Sequence, residues 1–236
     1  YNSPRCRGPG PMAGRGPNHL TGKGNHAMRP RILVGALAAM FLAAGLFASR
    51  AALAEEGKKK IVFLPGRQSH GWSGHSYTAD CMLLARLLAE KVPAVEAVVM
   101  RDGWPKDPKV LDDAAAIVIA CDGNSLVGPE SNWKALEELA AKGKGIAFLH
   151  YALDPGKEPG QHVLRLVGGY YEQHWSVNPS WTADFKSFPE HPITRGVKPF
   201  ALQDEWYYHM RFQEGMKGVT PILSAVPPDK TREGPD

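Results

Sequence analysis

The sequence predicts an α/β fold in which a mostly parallel sheet carries helices on both faces. Two observations predict it. Four short apolar runs are bounded by turn residues, as buried strands are. Segments with apolar residues at helical spacing alternate with these runs, and strands that alternate with helices form parallel sheets. Because ligands of such sheets bind at the carboxyl ends of the strands, functional residues are expected in the loops that follow them.

The first half of the predicted domain begins with a strand over residues 60–64 (KIVFL), which ends at a Pro-Gly pair. A helix is predicted over residues 76–91, with the Ser76 side chain as its N-cap. Its buried face is predicted to hold Cys81, Leu84, Ala85 and Leu88. Residues 95–100 predict the second strand.

The second half repeats this alternation. Residues 115–120 predict a third strand, and Pro129 stands where the first turn of a helix tolerates proline. One face of that helix is predicted to hold Trp133, Leu136, Leu139 and Ala140. Residues 145–149 predict the fourth strand, and beyond residue 169 the pattern changes to short, aromatic-rich strands. The chain then ends in a polar segment without a final strand, which indicates a truncated C-terminal part.

The N-terminal region indicates export. Residues 1–27 are rich in glycine and proline and show no apolar period, so we expect them to be disordered or to precede the true start. Residues 28–54 combine a basic start, an apolar run and a small-x-small cleavage site, which is the layout of a signal peptide. The alternative is a membrane anchor, but the run is shorter than the roughly 20 residues of a span. We therefore predict a domain over residues 55–236, without a membrane span after cleavage, that is periplasmic or extracellular.

The net positive charge of the chain comes from residues 1–54. The whole sequence has a net charge of +4, whereas residues 55–236 carry 21 basic and 24 acidic side chains, a net charge of −3. Nucleic-acid binding needs a basic face, so no nucleic-acid partner is expected. Cys81 and Cys121 are the only cysteines of the predicted domain. They could pair in an oxidising compartment, but two buried free thiols are the favoured interpretation.

The loops after the first and fourth predicted strands hold the first candidate site residues. Ser69, His70 and His75 lie in a glycine-rich loop, where backbone can approach a ligand closely. His150 and Tyr151 directly follow the fourth strand, at the edge where α/β folds place ligands. In both loops the alternative is a purely structural role.

Two aromatic segments add further candidates. Residues 170–175 include His174 and mix aromatic with polar side chains, which suits stacking on a sugar ring but equally suits core packing. In residues 204–209, strand alternation would place Glu205, Tyr207 and His209 on one face and Asp204 on the other. Such a face could transfer protons or bind a metal, or it could be an exposed edge strand.

A divalent transition metal such as zinc is a further hypothesis. Histidine imidazole is the commonest metal ligand in proteins, and His70, His75 and His150 could supply three ligands. The competing hypothesis is that the same side chains donate hydrogen bonds to sugar hydroxyls without a metal.

The order and spacing of four motifs resemble the ThuA-like (trehalose-utilisation) family of the class I glutamine amidotransferase-like superfamily. The motifs are residues 66–70 (GRQSH), the strand that ends at His150, residues 191–196 (HPITRG) and residues 204–207 (DEWY). The last two are the most specific, and the resemblance covers roughly residues 58–226.

The resemblance implies a flavodoxin-like three-layer sandwich and a role in the use of a carbohydrate, either a disaccharide or an oxidised sugar. His150 stands where amidotransferases have their nucleophilic cysteine, so glutaminase activity is not expected. The catalytic candidates are His150, Glu205 and Asp204. The substrate-binding candidates are Ser69, His70, His75, Tyr151, His174 and Tyr207. The alternative function is that of a non-catalytic sugar-binding module in an exported assembly.

Overall fold

A four-stranded parallel sheet organises the structure, a computed structural model that describes residues 57–71 and 74–231. Its strands are β1 (Lys59–Pro65), β2 (Val95–Val99), β3 (Ala116–Ala120) and β4 (Gly145–Leu149). They lie in the order β2-β1-β3-β4, and all three pairings are parallel. The predicted segments 1–27 and 28–54 lie outside the described residues.

Helices cover both faces of this sheet. Helix α1 (Tyr77–Lys91) packs on one face, while α2 (Glu130–Ala141) and α3 (Lys157–Val167) cover the other. Successive side chains of a strand point to opposite faces of the sheet. Phe63 of β1 therefore packs in the core beneath α1, and Leu64 packs in the core beneath α2 and α3. The predicted three-layer α/β sandwich is therefore confirmed, with the strand order of flavodoxin-like folds.

The predicted strands and the first two helices agree with the structure to within one or two residues. Two details were wrong. Leu84, predicted on the buried face of α1, is 42% exposed, and the Ser76 side chain makes no capping hydrogen bond. Helix α3 was not predicted, because Pro159 and Gly160, which have low helix propensity, stand in its first turn. Cys81 and Cys121 are both buried free thiols, as favoured.

The C-terminal part is antiparallel. Strands β5 (Gly169–Tyr170) and β8 (Arg211–Phe212) pair with each other, and β6 (Ser180–Phe185) pairs with β7 (Phe200–Glu205). A small aromatic cluster supports the second pair. Its members are Trp181, Ala183, Phe185, Phe188 and Trp206. No helix within residues 57–71 and 74–231 has the length and apolarity needed to cross a bilayer.

Candidate functional site

A cleft of about 290 Å³ opens at the carboxyl edge of the sheet, and we call it the histidine cleft. Its parallel-sheet wall consists of residues from the loops after β1 and β4, namely His70, His75, His150, Tyr151 and Asp154. Its antiparallel wall consists of Tyr171, Asn178, Glu205 and Tyr207.

The parallel ladder brings the histidines of the first wall together. Strands β1 and β4 both pair with β3 in parallel, so the loops that follow them leave the sheet at the same edge. Backbone hydrogen bonds in both directions between Ser69 and His75 then close the first loop on itself. This closure places the His75 ring between those of His70 and His150, with ring centroids 4.4 and 4.9 Å away.

Two imidazoles and one carboxylate form a chain of polar contacts in the cleft. The Nε2 atoms of His75 and His150 are 3.1 Å apart, which is hydrogen-bonding distance. The same His150 nitrogen lies 3.5 Å from Oε2 of Glu205 on the opposite wall. His150 is therefore the side chain at which the two walls meet.

Two hydroxyl groups hold the other nitrogen of His75. The Tyr77 hydroxyl lies 2.9 Å from His75 Nδ1, and the Ser69 hydroxyl lies 3.2 Å from it. Burial raises the pKa of Tyr77 to about 12, so its phenol keeps its proton and can donate to Nδ1. Burial, reinforced by His150 and His70, lowers the pKa of His75 and keeps this ring neutral. A neutral ring that accepts at Nδ1 carries its proton at Nε2 and can donate it to His150.

The backbone of His150 is in the left-handed region, with a φ of +49°. It adopts this conformation directly after β4, where the chain enters a short 3-10 turn over residues 150–153. Residues held in this sparsely populated region cluster at functional sites. His70, on the same wall, also has a positive φ of +59°.

Local contacts shape the antiparallel wall. The Asn178 amide donates to Oε1 of Glu205 over 2.6 Å, which fixes the carboxylate. The rings of Tyr171 and Tyr207 pack against each other with centroids 4.7 Å apart. Tyr207 also packs 5.3 Å from the His150 ring, and its burial raises its pKa.

The segment that carries Tyr171 and Asn178 is tied down near both of its ends. Near its start, the Arg211 guanidinium forms two hydrogen bonds with the Glu172 carboxylate, which also accepts one from the Tyr170 hydroxyl. Near its end, Val177 pairs with Tyr208 through two backbone hydrogen bonds.

Seven of the nine predicted site residues belong to this arrangement, because Ser69 holds the ring of His75 and six others line the cleft. Asp204 and His174 are exposed and are not among the lining residues. Strand β7 ends at Glu205, so alternation does not continue to His209, whose ring stacks on Trp175 instead. Asp154 and Asn178 were missed, because they stand outside any motif or regular strand. Tyr171 lies in the aromatic segment 170–175, from which only His174 was chosen as a site residue.

The side chains meet the requirements of the predicted zinc site only in part. Two imidazole nitrogens 3.1 Å apart suit a metal with Zn–N bonds of about 2.0–2.1 Å. The third predicted ligand, His70, instead has its Nδ1 3.0 Å from the Ser69 hydroxyl. Within the described part of the chain, no group of three or more His, Cys, Asp or Glu side chains is arranged to hold a metal ion.

Fold and site together define an α/β domain whose cleft lies at the carboxyl edge of a parallel sheet. The model of the ThuA family, described as trehalose utilisation, matches residues 63–234. The chain therefore belongs to the ThuA family.

One solved structure, described as that of a ThuA-like protein from Bacteroides uniformis ATCC 8492, is similar to the chain with a TM-score of 0.48. It is 14% identical in sequence, and the similarity covers 73% of this chain and 76% of that one. No curated protein gives a significant match to the sequence.

Proposed function

We propose that the histidine cleft binds one ring of a disaccharide or an oxidised sugar and that His150 exchanges a proton with it. The contact of His150 with both His75 and Glu205 carries this proposal. A proton-transfer residue needs a nearby group that sets its protonation state and a second group that stabilises its charged form. His75 and Glu205 can fill these two roles.

The size and lining of the cleft suit one sugar ring. Its volume of about 290 Å³ is at the lower end of the roughly 300–1,000 Å³ that small-molecule sites occupy. Tyr151, Tyr171 and Tyr207 offer aromatic faces for the apolar side of a ring together with hydroxyls for its polar edge. The family description, trehalose utilisation, supports a carbohydrate as the ligand.

The proposed step is a single proton transfer. A ligand hydroxyl, or a C–H bond next to a ligand carbonyl, gives its proton to Nε2 of His150. This nitrogen is free to accept it once the ligand replaces His75 as the neighbour. The resulting imidazolium is stabilised by the Glu205 carboxylate, while the electron pair of the broken bond stays on the ligand as an alkoxide or an enolate. The imidazolium then returns a proton to the ligand, and in D₂O the returned proton is a deuteron. Positioned proton transfer of this kind accelerates reactions by about 10²–10⁴-fold.

Matched variants test the proposal. Trehalose and a keto derivative of it are tested for binding by calorimetry. Conversion is measured for the keto derivative by NMR in D₂O, as exchange of the C–H proton next to the carbonyl for deuterium. His150→Asn removes the imidazole while retaining a residue that tolerates positive φ, and Glu205→Gln removes only the charge. We expect both variants to lose conversion by at least about 10²-fold. The controls His174→Asn and Asp204→Asn change an exposed histidine and an exposed carboxylate that do not line the cleft, and they leave conversion unchanged.

The outcomes separate the two function classes. Binding that depends on Tyr207 or Asn178 without any conversion would support the alternative, a non-catalytic sugar-binding module. If neither sugar binds, or if the control variants lose as much as His150→Asn, the proposal is wrong.

We also propose that the protein has no glutaminase activity. Cys121 is buried, its thiol donates to the Gly123 carbonyl, and burial raises its pKa to about 11, so it is a poor nucleophile. Glutamine hydrolysis by the purified protein that disappears in Cys121→Ser would contradict this expectation.

Export is a further proposal, supported by the composition of residues 28–54. Cleavage after Ala54 predicts Glu55 as the first residue of the exported protein. N-terminal sequencing of that protein checks the position, and an intact apolar leader would count against it.

A further inference from the structure

A second and larger cleft of about 650 Å³ lies at the same edge of the sheet. Its lining comes mainly from the loops that follow three neighbouring strands, namely residues 66–68 after β1, 101–104 after β2 and 125–126 after β3. We call it the arginine cleft, because Arg67 and Arg101 both line it.

The arginine cleft occupies the topological switch point of the sheet. From β1 the chain passes to β2 on one side of it and then returns to β3 on its other side. In open parallel sheets the connections diverge at such a point, and the crevice between the diverging loops is the usual place for a ligand. The histidine cleft is lined from the loops after β1 and β4, so the two clefts share the β1 loop but have no lining residue in common.

Two exposed arginines line this crevice. Arg67 and Arg101 are exposed, and within residues 57–71 and 74–231 neither forms an ion pair or a side-chain hydrogen bond. Asp102 is the one acidic residue of the lining. A guanidinium group presents a planar set of donors that matches the oxygens of a carboxylate or a phosphate, often with two hydrogen bonds at once.

Glycines hold the two arginine-bearing loops in place. A Cβ atom at Gly66 would lie 2.6 Å from the Cβ of Cys121, so only glycine lets the loop before Arg67 lie against the end of β3. Gly103 has a φ of +82°, which turns the loop after Arg101 and brings Trp104 into the lining. Gly66 therefore sets the course of the loop with Arg67 by close packing, and Gly103 sets the turn of the loop with Arg101.

We propose that the arginine cleft binds an oxyanion, either the phosphate or the carboxylate of a small molecule. Arg67 and Arg101 contact the charged group from two loops, and Gln68 and Ser125 add polar groups around it. The partly buried Trp104 offers an apolar face to the remainder of the molecule. The proposal does not rest on the chemistry assigned to the histidine cleft.

Binding of simple probes tests the inference. Inorganic phosphate and glucuronate are titrated into the purified protein at low salt and followed by calorimetry and NMR, with glucose as the uncharged probe. We expect Arg67→Ala and Arg101→Ala each to weaken binding of one or both anions by about tenfold or more, since each loses charge-assisted hydrogen bonds. Glucose binding at this cleft is not expected, and rising salt weakens the binding of both anions.

Two controls make the result specific. Arg195→Ala removes an exposed arginine outside the cleft and leaves anion binding unchanged. His150→Asn alters the histidine cleft and leaves the binding of inorganic phosphate unchanged, so failure of the proposed proton transfer would not affect this outcome. A preference for phosphate identifies a phosphorylated ligand, and a preference for glucuronate identifies a sugar acid. If neither anion binds, or if Arg195→Ala weakens binding as much as the cleft variants, the proposal is overturned.

Discussion

The two walls of the histidine cleft differ in what supports them. The parallel-sheet wall is formed by loops that follow strands of the central sheet. The side chains of this sheet form the main core, in which Leu64 and Ile119 are fully buried. The antiparallel wall is supported by two strand pairs and one small aromatic cluster, and Phe200 and Leu202 of β7 are exposed. We therefore expect the parallel-sheet wall to open only when the whole domain unfolds, whereas the antiparallel wall, which has fewer buried contacts, should open more easily.

Substituting leucine by alanine in the strand that supports each wall gives the largest expected difference in stability. Leu64→Ala removes a fully buried side chain of β1, and we expect it to lower the free energy of unfolding by about 2–5 kcal/mol. Leu202→Ala truncates a side chain of β7 that is 45% exposed, and we expect a change within about 0.5 kcal/mol. Chemical denaturation measures both values. Similar losses in the two variants would show that the walls do not differ as described.

A milder change in the aromatic cluster sharpens the comparison. Phe185→Leu loses ring contacts with Phe200 and Trp206, and we expect it to lower the free energy of unfolding by about 1–2 kcal/mol. Hydrogen exchange should become faster in β6 and β7 while the amides of β1 and β3 keep their protection. Equal acceleration in all four strands would mean that both walls open together.

Removing one hydroxyl probes the parallel-sheet wall alone. Tyr77→Phe deletes the donor to His75 Nδ1, and we expect a loss of about 0.5–1.5 kcal/mol in the free energy of unfolding. The ¹⁵N shifts of His75 should report a changed tautomer, because the remaining Ser69 hydroxyl lies closer to Nδ1 of His70, at 3.0 Å, than to Nδ1 of His75, at 3.2 Å, and can donate to His70 instead. Tyr171→Phe on the opposite wall is the control and should leave these shifts in place.

The smallest expected effect is a pH dependence that involves one histidine. Burial and the neighbouring His150 and His70 lower the pKa of His75 below its ordinary value of 6.5, so the unfolded chain binds this proton more readily. The contribution of neutral His75 to stability is therefore present above pH 6.5 and is lost as the pH falls through the lowered pKa. The melting temperature of His75→Gln should fall less between pH 7 and pH 5 than that of the wild type, while His174→Asn should follow the wild type.

The difference between the two walls also explains which part of the site could be predicted from the sequence. Strands β1 and β4 are short apolar runs with clear ends, and parallel strands share an edge, so the meeting of His70, His75 and His150 followed from general rules. No comparable rule predicts which residues form the antiparallel wall. Asn178 reaches Glu205 from an irregular segment, and the positive φ of His209 turns its side chain away from the alternation of β7. The positions of these side chains depend on tertiary contacts that no local sequence pattern encodes.

The ties at both ends of residues 170–178 have a consequence for the thermodynamics of ligand binding. The Glu172–Arg211 ion pair and the Val177–Tyr208 bridge link this segment to the chain that follows β7. Tyr171, Asn178, Glu205 and Tyr207 are thereby held in one arrangement before any ligand arrives. A ligand that contacts them loses little free energy to the ordering of side chains, so its affinity reflects the contacts themselves.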